Sequence, residues 1–156
     1  MGIWTWLARH DVTEDELADH ARFEARYAAM TSEEPGHVEE IDTHRDWHAL
    51  HVALTGCEQG GPSPAADVMG VHAGTHTEWG AIRWPDEVAR IAEFLDEVQW
   101  PDALRTLARA FDQGVFYYNF YNVDGNEDRL TGTFEDVRRF FRDAARAGQV
   151  VTLRRL

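Results

Sequence analysis

The chain has 156 residues and contains no lysine, so all 15 of its basic residues are arginine. The absence of lysine excludes Schiff-base catalysis and any phosphate-binding loop that depends on a lysine. Cys57 is the only cysteine, which excludes an intramolecular disulfide and a zinc site made mostly of thiolates. The sequence also has no run of about 18 apolar residues, so it predicts no membrane-spanning helix.

Acidic residues are in large excess, and the formal net charge is −13 with the histidines counted as neutral. This charge repels a nucleic-acid backbone and an anionic membrane, so we expect neither as a partner. It is compatible with a basic protein partner or with a simple role in solubility. The pairs Glu33-Glu34 and Glu39-Glu40 concentrate the charge in residues 31–40, which the pattern predicts to be an exposed acidic loop.

Size and composition indicate a single domain over residues 1–156, because 44% of the residues are hydrophobic and 12% are aromatic. Residues 1–6 lack the basic start and the long apolar core of a signal peptide, which predicts a cytoplasmic location.

Helical patterns outnumber short strand patterns along the chain. Strands are predicted over residues 3–8, 80–84 and 149–154, and residues 71–78 are predicted to be irregular. Helices are predicted over residues 13–30, 43–55, 64–69, 101–111 and 134–147, and an amphipathic helix is predicted from residue 85 through at least residue 95. Thr13 and Glu16 form a predicted capping box, and Thr133 is the predicted cap of the last helix. Residues 115–121 are rich in Phe and Tyr, and the pattern indicates burial without choosing between strand and helix. The simplest arrangement is an α+β fold, in which a small sheet includes the N- and C-terminal strands and is covered by about five helices.

The segment 47–56 carries the most informative pattern in the chain. Trp47, Leu50, His51 and Leu54 are spaced i, i+3, i+4 and i+7, which predicts one buried helical face. Gly56 follows as the expected end of that helix.

The same segment resembles the signature of the YfbM-like family, a bacterial family of unknown function. The resemblance lies in residues 47–51 and 54–56, and it is supported by residues 82–95 and 140–151, so it spans most of the chain. His44 and Arg45 depart from the aspartate and lysine that family members often carry there, so the positive charge is kept and the negative one is lost. The resemblance implies an α+β fold of helices around a small sheet, and it implies no activity.

A ligand-binding pocket is one hypothesis for this segment. Trp47, His51 and Trp84 would line an apolar pocket with a few polar groups, which is the general form of a small-molecule site. The plainer alternative for His51 is a core histidine that bonds a backbone carbonyl, and the sequence favours it because no nucleophile is evident beside His51.

A metal site is a second hypothesis. His44 and His48 are four residues apart on one predicted helical turn, so both rings could ligate one ion. His72 and His76 share that spacing around Gly74 in a predicted loop, and the site could be completed by Asp42, Asp46 and Glu78. Against this, Arg45 stands where a hydrolase helix carries a glutamate, and a cation beside a metal is unfavourable.

The sequence therefore favours a non-enzymatic acidic binding module, of the adaptor or immunity type, with a possible basic protein partner. A metal-dependent hydrolase using the histidine cluster and a small-ligand sensor are the alternatives. No catalytic residue and no cofactor is predicted.

Overall fold

The computed structural model describes residues 4–30, 36–70, 80–114 and 123–155, together with the backbone of residues 75–77. The strands are β1 (Thr5–His10), β2 (Glu39–Asp42), β3 (Thr75–Thr77), β4 (Gly80–Arg83) and β5 (Val150–Arg155). The helices are α1 (Glu14–Ala18), α2 (His20–Ala29), α3 (Asp46–Thr55), α4 (Ala65–Met69), α5 (Pro85–Glu97), α6 (Trp100–Asp112) and α7 (Glu127–Arg146). The predicted α+β fold is confirmed.

The five strands form one sheet in the order β2-β1-β5-β4-β3, and every neighbouring pair is antiparallel. The first and last strands pair at its centre, with Leu7 opposite Leu153, which confirms the prediction that the terminal strands share a sheet. Gly80 is the first residue of β4. A Cβ atom added to this glycine would lie 1.7 Å from the carbonyl oxygen of Leu153. Any other residue would therefore push β4 away from β5.

The two faces of the sheet pack against different helices. Leu7, Val151 and Leu153 face the main core, which contains apolar side chains from α3, α5, α6 and α7. Alternate residues point the other way, where Val150 joins a smaller cluster with Phe23 of α2. The strand period of two thus divides β1 and β5 between two cores.

Helix α1 begins as predicted at a capping box. The backbone N–H of Glu16 donates to Thr13 Oγ1 at 3.2 Å, and the backbone N–H of Thr13 donates to Glu16 Oε1 at 3.0 Å. The single helix predicted over residues 13–30 is nevertheless wrong, because Asp19 adopts an extended conformation (φ −138°, ψ 93°) that separates α1 from α2. With this break, the described residues contain seven helices rather than about five.

Three other element predictions differ from the structure. Strand β2 includes the last two residues of the predicted acidic loop, because residues 39–42 pair with β1, and β3 lies in a region predicted to be irregular. Helix α7 begins at Glu127, so Thr133 lies within it instead of capping it. The aromatic segment 115–121 lies outside the described residues. No helix in the part of the chain that is described is long and apolar enough to cross a membrane.

A buried carboxylate fixes the first turn of α3 against α7. Asp46 is 3% exposed. It accepts hydrogen bonds from Arg129 Nε at 3.1 Å and from Thr133 Oγ1 at 2.8 Å, and Arg129 Nη2 lies 3.0 Å from it. The carboxylate also lies at the positive end of the α3 dipole. The left-handed backbone of His44 (φ 50°) cannot belong to an α-helix, so α3 begins at Asp46 and not at residue 43.

We expect Asp46→Asn to lower the free energy of unfolding by about 2 kcal/mol, because it removes a charged acceptor shared by Arg129 and Thr133. Urea denaturation measures the change. Asp86→Asn is the matched control, since Asp86 also lies in the first turn of a helix but is 73% exposed, and its pair with Arg90 is 3.7 Å long. The control should change stability by less than about 0.5 kcal/mol; equal losses in the two variants would contradict the role given to Asp46.

His10 makes stability depend on pH. Burial, with smaller effects of His37 and Arg26, lowers the pKa of His10 from its ordinary 6.5 to about 4. Its Nε2 lies 2.8 Å from Thr152 Oγ1. Because the unfolded chain takes up this proton near pH 6.5 and the folded chain only near pH 4, stability should fall as the pH drops between these values.

We expect unfolding to become easier by about 1–2 kcal/mol between pH 7 and pH 5. The His10→Asn variant should show a clearly smaller pH dependence in the same urea titrations. His44→Asn, which removes a histidine with a 63% exposed side chain, is the control and should keep the wild-type slope. A His10→Asn slope equal to that of the wild type would contradict the assignment.

Candidate functional site

Helix α3, helix α4 and the end of β5 enclose a pocket of about 270 Å³. It is lined by Trp47, His48, His51, Glu58, Gln59, Gly60, Gly61, Ser63, Ala66, Asp67, Met69, Gly70 and Arg155. A cavity of about 150 Å³ is enough to hold benzene. On that scale the pocket has room for a small molecule of roughly ten non-hydrogen atoms.

The structure brings together two of the three predicted ligand-binding residues. Trp47 and His51 lie one turn apart on α3, and both line the pocket; His51 is 4% exposed and Trp47 is half-buried. Trp84 is not among the lining residues. It stacks on His20 with ring centroids 3.6 Å apart, in the smaller cluster beside α2. The helical period predicted that Trp47 and His51 lie on one face, whereas the position of Trp84 depends on which face of the sheet α2 covers.

His48 extends the aromatic wall of the pocket. Its ring stacks on Trp47 with centroids 4.9 Å apart, and its Nε2 lies 3.3 Å from the backbone carbonyl oxygen of Glu58. Burial lowers the pKa of His48, while the contacts with Glu58 oppose the shift. The imidazole is therefore neutral near pH 7, where one ring nitrogen can donate and the other accept.

Arg155 is a pocket residue that the sequence reasoning missed. Its guanidinium lies 3.6 Å from the ring centroid of Trp47, Nη2 donates to the carbonyl of Met69 at 2.6 Å, and Nε donates to Thr5 Oγ1 at 3.3 Å. Burial lowers the pKa of Arg155 to about 10. In the sequence, the signal for this residue was the pair Arg154-Arg155 at the end of a predicted strand. Because side chains alternate along a strand, the two arginines point to opposite faces of the sheet, so each face receives one of them.

Two arginines hold the C-terminal end of α4, which forms one wall of the pocket. Arg83 Nε donates to the carbonyl of Asp67 at 2.9 Å, and Arg83 Nη2 donates to the carbonyl of Gly70. Arg155 binds the carbonyl of Met69 between them. Cations at a helix C-terminus satisfy its exposed carbonyls and its dipole. On the pocket side of α4, the hydroxyl of Ser63 donates to the carboxylate of Asp67.

The structure separates the residues of the predicted metal site that it describes. His44 precedes α3 in a turn with φ 50°, and its Nδ1 lies 3.2 Å from Asp42 Oδ2, so it does not share a helical turn with His48. His72 lies outside the described residues, as does the side chain of His76, whose backbone belongs to β3. Within the described residues, no three His, Cys, Asp or Glu side chains are grouped so as to hold an ion. The four-histidine site stays a prediction.

Comparisons with known proteins agree with this fold. A family model described as a domain of unknown function, DUF1877, matches residues 1–153. Among solved structures, the chain is similar to YfbM from Escherichia coli, a protein of unknown function, with a TM-score of 0.67 and 14% sequence identity over 98% of this chain and 99% of that chain. At this identity the likeness shows the fold alone. No curated protein matches the chain.

The metal hypothesis can be tested by elemental analysis of tag-free protein purified without added metal. We expect wild type and His44→Ala to have the same metal content, because His44 contacts Asp42 and the ring of Trp4 instead of facing His48. One zinc, nickel or iron ion per chain that is lost in His44→Ala would support the four-histidine site and contradict this expectation.

Proposed function

Because this chain belongs to the DUF1877 family, as its resemblance to the YfbM-like proteins predicted, and the family carries no assigned activity, we propose a function from the pocket itself: the protein binds a small molecule between α3, α4 and the end of β5. The observation that carries the proposal is that Trp47 and His51 line one pocket together with Arg155. A concave site in which aromatic and apolar groups lie beside convergent polar side chains has the general form of a small-molecule site.

The polar groups of the pocket favour binding over nucleophilic catalysis. The hydroxyl of Ser63 donates to the carboxylate of Asp67, whereas in the usual catalytic pair a serine donates to a histidine. Of the two histidines of the pocket, His48 stacks on Trp47 and has its Nε2 3.3 Å from the backbone carbonyl oxygen of Glu58, which is not a nucleophile, and His51 is 4% exposed. We therefore propose a sensor or carrier, and the metal-dependent hydrolase stays a prediction.

The acidic binding module has less support than the pocket. Glu39 accepts hydrogen bonds from Arg9 Nε at 2.9 Å and from Arg139 Nη2 at 2.8 Å, and Glu40 lies 3.9 Å from Arg154. These two carboxylates are thus paired within the chain, so they attract a basic partner less strongly than free carboxylates would. Binding to a basic protein and a cytoplasmic location stay predictions.

A fragment screen followed by amide chemical shifts of the full chain tests the proposal. We expect small fragments to perturb residues of α3, α4 and the end of β5. His51→Gln should weaken a fragment that binds there at least tenfold, a loss of about 1.4 kcal/mol. His44→Gln is the matched control, since His44 lies outside the pocket lining, and it should bind as the wild type does.

A second variant tests the site without removing a polar group. Ala66 is 7% exposed and lines the pocket, so Ala66→Leu adds volume where the fragment would lie. We expect it to abolish binding while the far-ultraviolet circular dichroism stays unchanged. Fragments that perturb only other surfaces, or no fragment binding at all, would contradict the proposed function.

A further inference from the structure

Resting on the proposed function, we infer the class of ligand: a small zwitterion whose carboxylate pairs with Arg155 and whose ammonium group faces the acidic side chains of Asp67 and Glu58. The guanidinium of Arg155 is half-buried and lines the pocket. A cation removed from water is normally compensated by a paired anion.

The described residues supply no such anion to Arg155. Other arginines near the sheet have carboxylates close by: Arg9 lies 2.9 Å from Glu39, and Arg129 lies 3.0 Å from Asp46. Arg83 is buried and donates to carbonyls of α4, and the nearby carboxylates of Asp67 and Glu87 oppose the lowering of its pKa by burial. The acceptors that the described residues offer Arg155 are a carbonyl and a hydroxyl, and both are uncharged. The lowered pKa of Arg155 has burial as its cause, which agrees with a cation that has no paired carboxylate among the described residues.

The guanidinium is also held in a fixed orientation. It lies over Trp47 at 3.6 Å, and its Nε and one Nη2 proton are occupied by Thr5 and Met69. Arginine has five N–H donors, so three remain after these two hydrogen bonds. A stacked and anchored guanidinium presents a planar group to a ligand oxygen at a low cost in side-chain entropy.

The charges around the pocket limit the anion to a single negative charge. Glu58 and Asp67 line the same pocket as Arg155, and His48 is neutral there. A phosphate dianion would meet one positive and two negative side chains, and the repulsion would offset its pairing with Arg155. A carboxylate joined to an ammonium group matches both signs. With about 270 Å³ available, molecules of amino-acid size fit.

Matched probes on the wild-type chain test the inference. The probes are leucine, glutamine and phenylalanine, the amines formed by their decarboxylation, and their N-acetyl derivatives, with amide chemical shifts and calorimetry as readouts. We expect at least one amino acid to perturb the α3 and α4 resonances. Its amine and its N-acetyl derivative should each bind at least tenfold more weakly, because each lacks one of the two charges. This comparison does not depend on the folding of any variant.

Neighbouring arginines on β5 provide the matched variants. Arg155→Gln should weaken the amino acid at least tenfold, while Arg154→Gln should leave binding unchanged, since Arg154 lies on the opposite face, over Trp6 and near Glu40. Because Arg155 also holds Met69, Arg155→Lys serves as a second variant. It keeps the charge and should retain part of the affinity.

The zwitterion inference and the proposed function are overturned by different results. If neutral or purely cationic fragments occupy the pocket and the amino acids do not, or if an amino acid and its amine bind equally well, the zwitterion inference is overturned and the proposed function stands. If no probe or fragment of any charge perturbs the pocket, both are overturned. Unchanged amino-acid binding in Arg155→Gln would overturn the role of Arg155.

Discussion

The antiparallel pairing of β1 with β5 is the contact on which the rest of the structure depends. It joins Thr5 to Arg155 and His10 to Val150, across almost the whole length of the chain, and the remaining strands add to its two sides. Long-range pairing carries a high entropy of loop closure, which the burial of both sheet faces offsets. The same pairing brings Arg155 beside α3, so the pocket exists only once the two ends of the chain have met.

Charged groups in this protein hold elements together by binding the backbone and each other. Asp46 ties α3 to α7 through Arg129. Arg83, only 1% exposed, binds carbonyls of α4, and Arg155 binds the carbonyl that lies between them. A short helix of five residues has little intrinsic stability, so these cations account for its ordered C-terminal end. Arg155 differs because it also borders a cavity, and an anchoring residue there can serve binding as well.

Much of the fold could be predicted because it follows from local rules. The capping box at Thr13, the amphipathic α5 and the Trp47–His51 spacing each depend on residues within a few positions. Two of the predictions that were wrong depend on distant partners. Thr133 resembles a helix cap in sequence, yet its hydroxyl donates to Asp46, 87 residues away. Residues 39 and 40 belong by composition to an acidic loop, but pairing with β1 makes them part of an edge strand.

The sequence by itself determined which chemistries are excluded, which residues share a helical face, and that Trp47 and His51 point the same way. These follow from composition and from the 3.6-residue period of a helix. Only the tertiary structure decided what that face meets. It placed Arg155 over Trp47 and moved Trp84 to the opposite side of the sheet, against His20. The physical reason is that a period fixes the direction of a side chain, whereas its partner is set by strand pairing across more than a hundred residues.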